Sequence, residues 1–408
     1  MEKYTGILGI LGILGLAFLL SNNKKRINYR LVFSGLALQL LLALLILKVP
    51  AVTSFFQLIG RGMQKIEGFA REGAKFCFGG VLPNPPEAAK VFGANNSFIF
   101  ALNIPATIIL VCVLVAILYH FGIMQRIVAV IAKGVYFIMR ASGAETLSNV
   151  ASAFVGQVEA QVMIRPYLQT MTKSEILASM SGSMACISGG ILIVYVNMGI
   201  PAEYLIAASL MAAPASLVIA KIIYPEVEES QTKNEIKVEV KSHYTNVIDA
   251  ISHGASDGMK ISINIVAMLI GFIALISLIN YIIGKAFPGL SLDIIFGYLF
   301  YPFAYVMGVP KQDIMQVATF MGQKLSINEF VAYNSLTAVK QTLTPKAIAI
   351  ASFALCGFAN FSSVGMQIGG IGALAPERRG DLAKLGLKAL LCGTLASYLS
   401  ACLAGIIM

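Results

Sequence analysis

The chain has 408 residues, of which 57% are hydrophobic and only 12% charged. Soluble domains carry about 25% charged residues, so this composition excludes a water-solvated globule and makes lipid the main solvent. The net charge of +10 comes from Lys and Arg in short stretches between apolar runs, the pattern of the positive-inside rule rather than of a nucleic-acid surface.

A crossing helix needs about 20 mostly apolar residues, so the length admits roughly eight. The first apolar run, residues 5–21, reads as a retained span and not a signal peptide. Glu2 balances Lys3, no small-residue cleavage site follows, and Lys24, Lys25, Arg26 and Arg30 stand downstream. Its Gly6, Gly9, Gly12 and Gly15 predict close helix packing. Residues 31–48 return outward. Residues 49–97, with Pro83, Pro85 and Pro86, read as an external segment, and 98–120 cross inward. Arg126, Lys133 and Arg140 mark an amphipathic stretch at the inner surface. Spans follow at 174–198 and 203–223, then a polar cytoplasmic loop from 225 to 243, then spans at 260–283, 346–372 and 387–408. Eight spans put both termini outside and most basic loops inside.

Two segments, 144–173 and 311–345, are too polar to span and too apolar to be loops. Each reads as a re-entrant hairpin, the first entering from the inner face and the second from the outer. Each precedes a span broken by glycines and polar residues. Hairpin plus broken helix, repeated in opposite orientation, is the pattern of an inverted-repeat transporter. The expected fold is therefore all-α and polytopic. Its units are 1–98, 99–143, 144–223 (first hairpin and spans 4 and 5), 224–258 (loop and amphipathic segment), 259–310 (span 6 and interfacial segment), 311–386 (second hairpin and span 7) and 387–408.

The hairpins carry Gly156-Gln157-Val158-Glu159-Ala160-Gln161 and Gly322-Gln323-Lys324 with Asn328-Glu329-Phe330. A carboxylate at membrane depth costs at least about 2.5 kcal/mol and marks a functional position; the plainer alternative is a Glu paired with Arg165 or Lys324 to fix the hairpin. The broken spans carry Cys186-Ile187-Ser188-Gly189-Gly190 and Cys356-Gly357-Phe358-Ala359-Asn360-Phe361-Ser362-Ser363. Interrupted helices expose backbone groups that bind cations and polar substrates. Phe358, Gln157, Asn360, Glu159, Glu329 and Ser363 together supply an aromatic face, two amides, two carboxylates and a hydroxyl. That set suits a base and its ribose, and equally a sugar or an amino acid.

Other features read as structural. Cys77, Cys112, Cys186, Cys356, Cys392 and Cys402 form no CxxC pair and no metal-ligand spacing. Gly369-Gly370-Ile371-Gly372 lacks the strand and Lys of a phosphate loop, so helix packing is expected. His120, His243 and His253 are isolated. No nucleophile–base pair and no metal cluster stands out, which argues against a membrane enzyme.

The motifs resemble those of the concentrative nucleoside transporter family. They are Gly156-Gln157-Val158-Glu159-Ala160 with Arg165-Pro166-Tyr167-Leu168, Gly254-Ala255-Ser256-Asp257-Gly258-Met259, Asn328-Glu329-Phe330-Val331-Ala332-Tyr333, the Cys356–Ser363 run, and Leu374-Ala375-Pro376-Glu377-Arg378-Arg379-Gly380-Asp381. The resemblance covers the whole chain and points to the shorter, bacterial-type member of the inner membrane. It implies a homotrimer with a scaffold domain (1–98 and 99–143 within it) and a transport domain moving as an elevator. It implies that Gln157 and Glu159 face the base with Val158 nearby, that Phe358 lines the base pocket, that Glu329 and Asn360 hold the ribose, and that Ser363 adds a hydroxyl contact. Gly156 resembles purine-tolerant members and, with Gly190, is a candidate specificity position, so pyrimidine and purine nucleosides are the expected partners. No cofactor is implied; the coupling ion is H+ or Na+.

One departure concerns that ion. Sodium-coupled members have Asn where this chain has Ser152, and Ser where it has Cys186. Sulfur is a poor partner for a hard cation. The carbonyls near Val155 and Ile187 remain, but a sodium site at these four residues is short of two oxygen ligands. The reading leans to proton coupling, with Glu159 or Glu329 as carrier. The alternatives are a symporter or exchanger for another small polar solute, a membrane-embedded enzyme, and a passive channel.

Overall fold

The computed structural model describes residues 2–93, 99–233 and 244–408. Among these no strand occurs, and the helices run in the expected order. The first five are α1 (Glu2–Leu19), α2 (Tyr29–Lys48), α3 (Pro50–Phe78), α4 (Pro85–Phe92) and α5 (Phe100–His120). Next come α6 (Ile123–Met139), α7 (Gly143–Ser152), α8 (Glu159–Val162), α9 (Lys173–Ala185), α10 (Gly189–Asn197) and α11 (Ala202–Ile223). The second half holds α12 (Val247–Ala286), α13 (Leu292–Val306), α14 (Ile314–Ser326), α15 (Glu329–Ala338), α16 (Pro345–Leu355), α17 (Phe361–Leu374) and α18 (Arg379–Ile407). Residues 234–243 of the polar loop, with His243, and 94–97 of the external segment lie outside the described residues.

Five stretches are long and apolar enough to cross a membrane: Tyr29–Lys48, Ala101–His120, Lys173–Asn197, Ala202–Ile223 and Pro376–Ile407. The expected spans at 5–21 and 346–372 are shorter apolar helices, the second split into α16 and α17. Two boundaries differ from the sequence reading. The span placed at 260–283 belongs to the 40-residue α12, which starts at Val247 because the Asn246 side chain caps it, accepting from the Asp249 N–H. The last helix starts at Arg379 and not at 387. Its polar first turns are held by the Arg378–Asp381 ion pair at 3.2 Å, so the charged residues before the span join the helix.

The two segments predicted as hairpins contain the helix pairs α7–α8 and α14–α15. Their polarity has an explanation in capping, because every helix start at this depth must satisfy its free N–H groups within the protein. Ser142 with Glu145 forms a capping box at α7, and Thr172 with Glu175 forms another at α9. Asn328 and Asn360 are simple N-caps of α15 and α17, accepting from the Val331 and Ser363 N–H groups. Halves α5–α11 and α12–α18 share the order long helix, arm helix, hairpin, broken helix, closing helix. The same 170-residue spacing separates Glu159 from Glu329 and Cys186 from Cys356. Each arm helix, α6 or α13, lies between two left-handed residues: Gly122 and Arg140 around the first, Gly289 and Gly308 around the second.

Helices α9, α11 and α18 are almost wholly buried and form the centre. Helix α12 packs along α5 through Gly254 and Gly258. A Cβ at Gly258 would stand 2.6 Å from the Ile109 Cα, and one at Gly254 would stand 2.8 Å from the Cys112 carbonyl oxygen. Only backbone-to-backbone approach of the small-xxx-small kind allows this. Of the glycine stripe on α1, Gly6 and Gly9 serve close packing against α18 and the end of α13, while Gly12 and Gly15 face open space. Gly370 likewise makes room for Val158, so the Gly-rich run in α17 is a seat for the first hairpin. Of the six cysteines Cys77 is exposed and Cys112 partly buried, and all are free thiols. Replacing Gly258 by Val is expected to force α12 off α5 at a cost of about 1–3 kcal/mol, read as a lowered thermal midpoint in detergent relative to Ser256→Val on the same helix.

Candidate functional site

The two broken helices cross at their interruptions. The Phe358 N–H donates to the Cys186 carbonyl at 3.3 Å, and Gly357 takes φ +108 because a side chain there would run into the Ala185 carbonyl. This crossing brings both hairpin tips to one cavity of about 220 Å³. Gly156, Gln157, Val158, Glu159, Glu329, Phe358, Asn360 and Ser363 all line it. Residues 200 apart in the chain therefore meet because helix ends, not helix faces, converge there.

Glu329 is buried and held by two neutral donors. Tyr195 Oη donates to Oε1 at 3.1 Å and Asn360 Nδ2 donates to Oε2 at 3.0 Å. The Asn360 Oδ1 is occupied by its own cap, accepting from the Ser363 N–H and the Ser362 hydroxyl. Ser363 Oγ is buried with no hydrogen-bond partner, an unmet group that costs about 1–3 kcal/mol until a ligand reaches it. Gln157 is oriented by Gln367, whose Nε2 donates to Gln157 Oε1 at 3.4 Å and to the Met180 carbonyl at 3.2 Å. Gly156 lies under the Glu159 carboxylate, which occupies the space a Cβ would need.

Neither carboxylate has an ion-pair partner among the described residues, so the hairpin-fixing salt bridges weighed for Arg165 and Lys324 do not form. Lys324, 1% exposed, instead donates to the Ala354 and Cys356 carbonyls at 3.0 and 3.2 Å and to Ser397 Oγ at 3.4 Å. Its ammonium thus caps the free carbonyl end of α16 at the break.

The cation-coupling candidates lie where the first hairpin segment meets the first broken helix. The Ser152 hydroxyl donates to the Ser148 carbonyl and lies 2.8 Å from Ser183 Oγ. It belongs to a closed network in which Gln161 Nε2 donates to Ser148 Oγ and Ser183 Oγ while Ser179 donates to Gln161 Oε1. Cys186 Sγ points to the Ser209 carbonyl at 3.7 Å. The Ser152 oxygen keeps lone pairs, whereas Cys186 offers only sulfur. Gly190 and Val155 do not line the central cavity. They line a second chamber of about 280 Å³, the inner one on the expected topology, with Tyr119, Tyr244 and Asp257, which shares Gly156, Glu159, Ser188 and Ile261 with the central one.

Sequence reading missed Tyr195, Gln367 and Asn264, the last a central-cavity residue on α12. The signal for Gln367 and Asn264 was present, since an amide inside an apolar helix is expensive at membrane depth. Tyr195 gave none, because aromatic residues are ordinary in such helices.

A multi-pass helical protein whose two broken helices cross at a chamber bearing carboxylates and amides has the architecture of a membrane transporter. Residues 204–405 match the family described as "Na+ dependent nucleoside transporter C-terminus", residues 8–81 its N-terminus, and residues 101–202 a "Nucleoside recognition" gate. The chain is 42% identical to the uncharacterized transporter YutK of Bacillus subtilis, over 99% of both chains. It is 38% identical to the nucleoside permease NupC of Helicobacter pylori, over 98% of this chain and 96% of that one. The solved structure of CNTnw in an inward-facing substrate-bound state superposes with a TM-score of 0.93 at 40% identity, covering 100% and 98% of the two chains. The chain belongs to the concentrative nucleoside transporter family, whose members are transporters and not enzymes. Lys324→Met is expected to leave the α16 carbonyls unmet and cost about 3 kcal/mol, measured as lost thermal stability without ligand.

Proposed function

We propose that this protein imports nucleosides by symport with a cation, H+ or Na+, as an eight-span, inner-membrane protein with both termini outside; the residues of the ion site favour H+, whereas the family it matches is described as Na+ dependent. The observation that carries the substrate reading is Glu329 with Asn360 beside Phe358 and Gln157 in one cavity. A ribose diol is a donor pair for the Glu329 carboxylate, which has two neutral partners and lone pairs to spare. Phe358 offers a stacking face for the base, the Gln157 amide and Glu159 its edge partners, and Ser363 Oγ an unmet hydroxyl. Gly156 makes room for the Glu159 carboxylate at the cavity, and its resemblance to purine-tolerant members carries the reading that purines are taken as well as pyrimidines. A sugar or amino acid would leave the aromatic face or the second amide unused.

The two hairpin-and-broken-helix units carry the site, and α5 with α12 forms the fixed wall, in an elevator-type alternation between outer and inner water. The hairpins act as re-entrant segments on opposite faces. Assembly as a homotrimer rests on the family resemblance, and the exposed apolar residues of α12, among them Ile263, Ile270 and Ile273, are open either to lipid or to a neighbouring copy. Proton coupling is supported by the residue types at the ion-site positions, Ser152 and the soft sulfur of Cys186. Glu159 lies between the central cavity and the inner chamber, where a proton reaches water without crossing lipid. Neutralising it removes the cost of moving a bare carboxylate at membrane depth.

The deciding experiment is uptake of radiolabelled uridine and adenosine into proteoliposomes under a proton or a sodium gradient, imposed one at a time. Accumulation of both under the proton gradient alone is expected. Accumulation under sodium alone overturns the coupling assignment, and accumulation of neither under any gradient overturns the nucleoside reading. Glu329→Ala is expected to weaken uridine binding by about 3 kcal/mol, a little over a hundredfold, checked by calorimetric titration in detergent.

A further inference from the structure

On the side of the site opposite the inner chamber lies a third cavity, of about 180 Å³. Helix α5 carries all three. Its N-terminal Asn103 and Thr107 line the third, Ile104 and Ile108 the central one, and Val111 to Tyr119 the inner chamber. The third cavity is polar, being lined also by Asn197 of α10, Asn334 and Thr337 of α15, and Glu67 of α3. Ile104, Val194 and Phe330 belong to both this cavity and the central one and form an apolar partition between them.

Two features point to a ligand rather than to packing. The Asn197 Oδ1 is buried with no hydrogen-bond partner, an acceptor that costs about 1–3 kcal/mol until something donates to it. The lining also joins two bodies, α3 and α5 on one side and α10 with the second hairpin on the other. We infer that this cavity is an outer subsite, which holds a nucleoside by its hydroxyls and base edge before it passes the partition; the inference rests on the nucleoside reading above. Each of the three amides offers both donor and acceptor, so either type of base edge is met. Glu67 accepts from sugar hydroxyls while Arg71 holds it at 2.7 Å. Asn103 and Ile108 are separated by a helical rise of about 7–8 Å. That is shorter than a nucleoside, so outer and central sites fill in succession and not together.

The test uses the full-length protein in proteoliposomes with Cys77, the exposed thiol, replaced by Ser. Met198→Cys places a reporter on the cavity wall without removing a polar contact. Its modification by a membrane-impermeant thiosulfonate is timed with and without external uridine. Uridine is expected to slow modification about tenfold. The protection is expected to persist when Glu329→Ala and Gln157→Ala disable the central site, and to vanish when Asn197→Ala is added. Thr107→Val with Thr337→Val serves as a second outer variant, and an unchanged thermal midpoint of the outer variants in detergent shows that they fold. Protection lost with the central site, or kept at full strength in both outer variants, overturns the inference, as does no protection in a protein that transports uridine. Failure of the unmodified protein to transport any nucleoside counts instead against the reading on which it rests.

Discussion

The contact on which the site depends is the crossing of two interrupted helices, where the Phe358 N–H meets the Cys186 carbonyl and Gly357 turns left-handed to clear Ala185. An interruption at lipid depth is tolerable only when the freed backbone groups find partners inside the protein. Here each break supplies partners to the other, so neither can be moved alone. The polar residues around the crossing follow from this. Asn360 and Asn328 cap the helices that restart, and Lys324 covers the carbonyls of the helix that stops.

The two halves solve the same problem with different chemistry. In the second half a fixed ammonium sits at the α16 carbonyls. In the first half four serines and Gln161 close on one another behind the hairpin. The cavity lies between a rigid, charged support and a neutral, hydroxyl-rich one. Glu329 belongs to the first, with its oxygens fixed by Tyr195 and Asn360, whereas Glu159 folds over Gly156 and borders the inner chamber.

Much of this was legible in the residues. Polarity inside apolar stretches marked both hairpins and both breaks, because such residues are too costly to be incidental, and eight of the named site residues share one cavity. Their motifs also carried the family. What was not legible is long-range pairing. Nothing in the sequence says that Lys324 spends its charge on carbonyls rather than on Glu329, or that the Ser152 hydroxyl is taken by its neighbours. Helix boundaries failed at α12 and α18 for a different reason. Hydropathy marks where lipid begins, while a helix continues as far as its caps and ion pairs allow, here to Asn246 and to Arg378 with Asp381.

Left-handed residues bound both arm helices, and the arms have 17 and 15 residues. At about 1.5 Å per residue they are levers of nearly equal length, roughly 25 and 22 Å. Any movement of either arm would pivot at these left-handed ends. Three of the four are glycines, which adopt such a backbone freely. The fourth is Arg140, at φ +52, where a side chain holds a conformation costing roughly 1–2 kcal/mol, so that this end of α6 carries strain the other three do not.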